Sequence, residues 1–152
     1  MLASCLSRLE ALLTGIAFIG TGFVADYYMT TLANHPQLRL TGAYDNSAEQ
    51  LQRFSRFCGV RAYADLDEVL ADPAVAIVVN LTDPESHYPI SRAALEAGKH
   101  VYSEKPLAMR FDEIIDQMPN LIQVQFSRCM GIKHGCMVNM LPLPGQGSFY
   151  CQ

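Results

Sequence analysis

The first stretch of this chain whose residue types and spacing could do chemistry is Gly20-Thr21-Gly22-Phe23-Val24-Ala25. It matches G-x-G-x-x-G/A and falls between a short apolar run, Gly15 to Gly20, and a segment of helical periodicity, Phe23 to Leu32. Gly20 permits a tight turn, Gly22 lets the backbone approach a pyrophosphate, and Ala25 keeps a helix close to a sheet. Amides left free at the start of that helix, aided by its dipole, hold phosphate oxygens. Gly20, Thr21, Gly22, Phe23 and Val24 are therefore the candidate phosphate contacts. Asp45 follows twenty positions after Ala25, at the end of a second run, Leu38 to Tyr44. A carboxylate there accepts hydrogen bonds from the adenine ribose hydroxyls and repels a 2′-phosphate. Asn46 and Ser47 bring no arginine to attract one, so NAD is expected in preference to NADP. The plainer alternatives are a glycine turn that only joins strand to helix and an aspartate that only shapes a turn.

The elements that must position these residues alternate along the chain. Gly15–Gly20, Leu38–Tyr44, Val75–Leu81 and His100–Ser103 read as strands, the third too continuously apolar to be half exposed. Between them Phe23–Leu32, Ser47–Phe57 and Ser86–Glu96 read as helices, with a short helical turn over Leu66–Leu70. Ser47 is placed to cap its helix and Gly59 to close it, while Asn34 and Pro36 stop the first helix and Gly98 the last. Strands alternating with helices imply parallel pairing through right-handed crossovers, hence a doubly wound α/β domain.

Composition narrows the classes. The chain has 152 residues, 50% of them hydrophobic and 17% charged, enough to bury the core of one ordinary domain. Eleven basic against fifteen acidic residues give a net charge of −4, which argues against a general nucleic-acid binder. No apolar run approaches the ~20 residues that span a bilayer. Five cysteines at irregular spacing fit a reducing, cytoplasmic setting better than a secreted disulfide framework. Residues 1–14 carry Leu2, Leu6, Leu9 and Leu13 at helical spacing but no basic leader, so they read as a short amphipathic extension.

Three further stretches carry a resemblance. Asn80-Leu-Thr-Asp-Pro-Glu-Ser-His87, Ala94-Leu-Glu-Ala-Gly-Lys-His-Val101 and Glu104-Lys105-Pro106-Leu-Ala108 follow the glycine turn in order. Together they closely resemble the Gfo/Idh/MocA oxidoreductases, the glucose–fructose oxidoreductase and inositol dehydrogenase family, over about residues 16–109. One departure is Asp83, where that family usually carries proline. The resemblance implies a dinucleotide-binding Rossmann domain, with Thr82 lining the ribose and nicotinamide side of NAD. It also implies Lys105 beside the nicotinamide as the catalytic cation, Glu104 next to it, and a Lys-Pro bond that is often cis. His87 is either a cofactor contact or a polar helix-start residue. The implied reaction is hydride transfer between NAD and a hydroxyl-bearing carbon of a sugar or cyclitol, with no nucleic-acid or membrane partner and a homo-oligomer as an allowed assembly. His35 and His100 read as structural.

Residues 15–127 are expected to form the dinucleotide-binding domain and 128–152 an irregular tail. Phe111 to Met118 begins a helix that Pro119 ends early, and Leu121 to Phe126 has the character of a sixth strand. Beyond Asp116 the only charges are Arg128 and Lys133, and three cysteines, three methionines and four glycines fall after Arg128 with no usable period. The spacing of Cys129, His134, Cys136 and Cys151 matches no common zinc pattern, so no metal is expected. Nothing past residue 110 resembles the family's substrate domain, so a truncated or altered product is expected. Three readings follow: an oxidoreductase by descent, a nucleotide-binding module without catalysis, and a fragment inert by itself.

Overall fold

A computed structural model describes residues 13–110, 112–113, 125–128 and 136–140. The extension before residue 13 and the predicted helix beyond residue 113 lie outside these residues, as do positions 121–124 of the predicted sixth strand. Along the chain the elements are β1 (Thr14–Ile19), α1 (Phe23–Leu32), β2 (Leu38–Tyr44), α2 (Ala48–Cys58), β3 (Arg61–Ala62) and α3 (Leu66–Ala71). They continue as β4 (Ile77–Asn80), α4 (Pro84–Glu96), β5 (His100–Ser103), β6 (Gln125–Arg128) and β7 (Cys136–Met140).

The sheet order is β3-β2-β1-β4-β5-β7-β6, and the first five strands run parallel. This is the doubly wound α/β fold that the alternation implies. β7 pairs antiparallel with β5, and β6 with β7. The expectation of an irregular tail therefore made no place for a strand at Cys136–Met140; strand pairing supplies an order that the residue pattern there does not announce. Other differences are small: β1 starts one residue early, α4 starts at Pro84 rather than Ser86, and the two-residue β3 was not foreseen.

Alternation along β1 divides the core between the two faces of the sheet. Ala17 and Ile19 join Tyr63, Val69, Val78, Ala94 and Val101 on one face. Ile16 and Phe18 join Ala25, Ala43, Leu51, Phe54 and Val79 on the other. A central strand covered on both faces must be apolar at every position, which is why β1 and β4 read as continuous runs. Ser47 caps α2 by accepting the Gln50 amide at 3.4 Å, and Gly59 closes it in the left-handed conformation at φ 66°.

Register fixes the active edge. Ile19 lies opposite both Tyr44 and Asn80, and Asn80 lies opposite Ser103. The next residue on each strand, Gly20, Asp45, Leu81 and Glu104, thus emerges at one carboxyl edge. A bulge at Thr41, between the Ile16–Leu40 and Ala17–Gly42 pairs, sets this alignment. Successive strands are added on one side of β1 (β2, β3) and then on the other (β4, β5), which makes the gap between β1 and β4 the switch point at which open α/β sheets bind ligands.

Candidate functional site

A cleft of about 400 Å³ opens at this switch point, a volume ordinary for a ligand site. Gly20, Gly22, Asp45, Asn46, Thr82 and Asp83 are among the residues that line it. Its described lining holds two carboxylates and neither lysine nor arginine.

The turn between β1 and α1 is shaped by glycine at one position and kept open by it at another. Gly20 sits at φ 92°, and a Cβ there would lie 2.8 Å from the Leu81 carbonyl carbon and oxygen. Gly22 has ordinary dihedrals, and the nearest atom to its imagined Cβ is Gln50 Oε1 at 3.8 Å. Packing within the protein therefore makes no demand for glycine at position 22, and the space belongs to whatever enters the cleft. No side chain caps α1, so the amides of its first residues have no side-chain partner among the described residues. These features fit a dinucleotide's pyrophosphate.

Asp45 braces the turn from the end of β2. Its Oδ2 accepts the Thr21 amide at 2.7 Å and the Thr21 hydroxyl at 2.9 Å, while Oδ1 accepts the Ser47 amide at 2.7 Å. Arg53 of α2 reaches the Thr21 carbonyl and Asp26, each at 3.3 Å, and so secures the same turn from outside. The sequence reading assigned Arg53 no part, because it lies eight positions beyond Asp45, within α2, and only the fold brings it back to the turn.

Thr82 is held from below by buried Asn80, whose Oδ1 accepts the Thr82 hydroxyl at 2.7 Å. Asn80 Nδ2 donates to the His87 carbonyl at 3.1 Å and to Ser91 Oγ at 3.2 Å. An asparagine closing an apolar strand was the one signal that could have identified this support. Asp83, in place of the family's proline, precedes α4 and accepts the Ser86 hydroxyl at 3.1 Å. That hydrogen bond holds its carboxyl below the usual value.

His87 is 1% exposed and does not line the cleft. Its Nδ1 lies 2.6 Å from the Pro106 carbonyl oxygen and its Nε2 2.9 Å from that of Thr82. His87, expected as either a cofactor contact or a polar helix-start residue, straps two loops together, each ring nitrogen facing a backbone carbonyl oxygen. One of those loops carries Glu104 and Lys105. The Lys105–Pro106 peptide is cis, Lys105 is exposed, and Glu104 donates its amide to the Asn80 carbonyl at 3.0 Å.

Of the residues singled out from sequence, Gly20, Gly22, Asp45 and Thr82 line the cleft together. Thr21 is fully buried beneath the turn, and Phe23 and Val24 expose their side chains at the start of α1, leaving only backbone to offer. Lys99 has a structural duty: its ammonium donates to the Asp72 and Val75 carbonyls at 2.8 and 2.9 Å. Among the described residues no cluster of His, Cys, Asp or Glu could hold a metal. Cys129, His134 and Cys151 lie outside those residues. No described helix is long and apolar enough to cross a membrane.

Comparison with known proteins agrees with this geometry. Residues 14–124 match the family described as "Oxidoreductase family, NAD-binding Rossmann fold". The chain is 31% identical, over 78% of its length, to the inositol 2-dehydrogenase/D-chiro-inositol 3-dehydrogenase of Lactiplantibacillus plantarum, covering 37% of that protein. The WlbA dehydrogenase of Chromobacterium violaceum, solved with NADH and UDP-GlcNAcA, superposes with a TM-score of 0.67 at 28% identity. That match covers 71% of this chain and 32% of the other. A biliverdin reductase of Synechocystis sp. PCC 6803, solved with biliverdin and NADP+, gives a TM-score of 0.64 at 28% identity over 68% of this chain and 33% of its own. The chain spans only 27–37% of the length of three curated oxidoreductases that it matches. With the glycine turn, the cleft and the family match in agreement over the same residues, this chain belongs to the Gfo/Idh/MocA oxidoreductase family and carries its NAD-binding Rossmann fold.

Proposed function

We propose that this chain binds NAD(H), in preference to NADP(H), as the cofactor-holding part of an oxidoreductase acting on a sugar or cyclitol hydroxyl. The observation that carries the reading is Asp45, a carboxylate fixed at the end of β2 and facing the cleft beside the glycine turn. The lack of any cation in the described lining also disfavours a 2′-phosphate. Arg53, the nearby cation, is engaged by Thr21 and Asp26.

Bound NAD would accept or give the hydride, and the protein's part is to place it. The amides leading α1 hold the pyrophosphate, Gly22 admits it, and Asp45 takes the adenine ribose hydroxyls. Thr82, locked by Asn80, flanks the opposite end of the cleft. Lys105, on the loop strapped to Thr82 through His87, supplies a cation that holds a substrate hydroxyl and stabilises negative charge developing on its oxygen. The sugar or cyclitol class rests on relatives such as the inositol dehydrogenase.

A second reading is favoured by the short span against its relatives: a nucleotide-binding module with no turnover of its own. Fluorescence titration with NADH and NADPH tests the shared step. NADH should bind more tightly, and Asp45→Ala should weaken it by removing one or two charge-assisted hydrogen bonds of roughly 1.5–3 kcal/mol each. Tighter binding of NADPH to the unmodified chain would overturn the preference.

A further inference from the structure

We propose that Tyr28 is a positioning residue for the Glu104-Lys105-Pro106 loop, its hydroxyl fixing the Glu104 carboxylate so that Lys105, which lies outside the cleft's lining, is held toward the side where the nicotinamide would lie. The inference rests on the cofactor reading above and adds a residue outside the family's motifs. Tyr28 stands on α1, the helix that opens at the glycine turn, and its hydroxyl donates to Glu104 Oε1 at 2.6 Å across 76 residues of sequence. The other Glu104 oxygen faces the Lys105 amide at 3.4 Å. A single side chain thus connects the helix that would bind the pyrophosphate to the loop that carries the lysine.

The ring has little freedom to swing away. It meets Phe18 edge-on at 6.2 Å between centroids and Tyr102 edge-on at the same distance, with interplanar angles of 84° and 71°. Packing of that kind needs only the ring, and phenylalanine would supply it; the hydroxyl adds the bond to Glu104 and one to Tyr102, and only the first reaches the loop. Burial, reinforced by the bond to Glu104, pushes the phenol far above its ordinary value, so it remains a donor at any assay pH.

Tyr28→Phe in the full chain separates loop positioning from packing when binding of NADH is compared with that of ADP-ribose, which lacks the nicotinamide. NADH affinity should fall by about three- to tenfold, toward the low end of what coupled neighbours show, while ADP-ribose affinity changes by less than about twofold. Hydrogen exchange at the Glu104 and Lys105 amides should quicken in the cofactor-free variant. In a Glu104→Ala background, Tyr28→Phe should have no further effect on the ratio of the two affinities. Equal losses for both ligands, unchanged exchange, or additive effects in the double variant would each overturn the proposal. Should the unmodified chain bind neither ligand, the cofactor reading fails separately. Exchange then decides alone: quickened amides support Tyr28 as the loop's anchor, and unchanged ones remove it.

Discussion

Thr21 gives both its amide and its hydroxyl to one carboxylate oxygen of Asp45, at 2.7 and 2.9 Å, joining the glycine turn to the end of β2. A carboxylate offers about four lone-pair sites, and the Ser47 amide takes a third. Asp45 therefore braces the turn and, in the proposed role of ribose ligand, has a single site left open. A second ribose hydroxyl must compete with the Thr21 hydroxyl.

Thr21→Val separates these two duties. Losing one hydrogen bond to a carboxylate should lower stability by about 1.5 kcal/mol, seen as a lower melting temperature. NADH affinity should stay within about twofold, because the freed lone pair is offered to the ribose. Asp45→Ala should lower both. If Thr21→Val abolishes NADH binding as fully as Asp45→Ala, the carboxylate serves the turn alone.

Alanine at the two glycines should fail in different ways. In Gly20→Ala the new Cβ meets the Leu81 backbone at 2.8 Å from a left-handed φ, and neither chain segment can easily yield. A loss of more than about 2 kcal/mol is expected, read as a lowered melting temperature or insoluble protein. Gly22→Ala has room, so its melting curve should match the parent while NADH affinity drops. Equal melting of all three proteins would contradict the account of the turn.

Acid and alkaline stability should both depend on Tyr63. The fully buried phenol donates to Asp72 Oδ2 at 2.8 Å, and the Ala74 amide donates to Oδ1 at 2.8 Å. The Ala74 amide first, then the Tyr63 hydroxyl and the Arg61 and Lys99 cations, hold the Asp72 carboxyl below its usual value. Its contribution is full above the unfolded carboxyl value of about 3.9 and is lost as pH falls through the lower folded one. Burial, then Asp72, pushes Tyr63 up to about 12, so its contribution is full below about 10 and is lost as pH rises toward that value. Melting temperature against pH should therefore decline on both limbs, and Tyr63→Phe should flatten the alkaline limb and shrink the acid one. An unchanged alkaline limb in the variant would refute this.

The 152-residue chain by itself should hold NADH yet reduce NAD slowly or not at all with polyols and sugars. Alcohol oxidation needs a base for the hydroxyl proton, help typically worth ~100- to 10,000-fold, and a surface that positions the substrate. Lys105 is exposed, while Glu104 beside it is half-buried and held by the Tyr28 hydroxyl. Steady-state absorbance with Lys105→Ala as control decides: rapid reduction lost in the variant would show the chain to be self-sufficient.

Much of this protein was determined by sequence alone. The unbroken apolar runs of β1 and β4 required a sheet covered on both faces, and the Ser47 and Gly59 caps placed α2. The glycine pattern, Asp45 twenty residues after Ala25, and Glu104-Lys105-Pro106 identified the cofactor side and the family. These are local signals, written in neighbouring residues because dihedral limits and amide satisfaction act locally. Only the tertiary structure decided how they meet. The Thr41 bulge shifts β2 so that Asp45 emerges beside Gly20, and no composition signals it. His87, polar in a family motif, proved to be buried between two carbonyls because α4 packs it beneath the Thr82 loop. Tyr28 and Arg53 gained their partners from strand order, which brings α1 to the β5 loop and α2 to the glycine turn. Long-range hydrogen bonds depend on register and crossover, and a single sequence records neither.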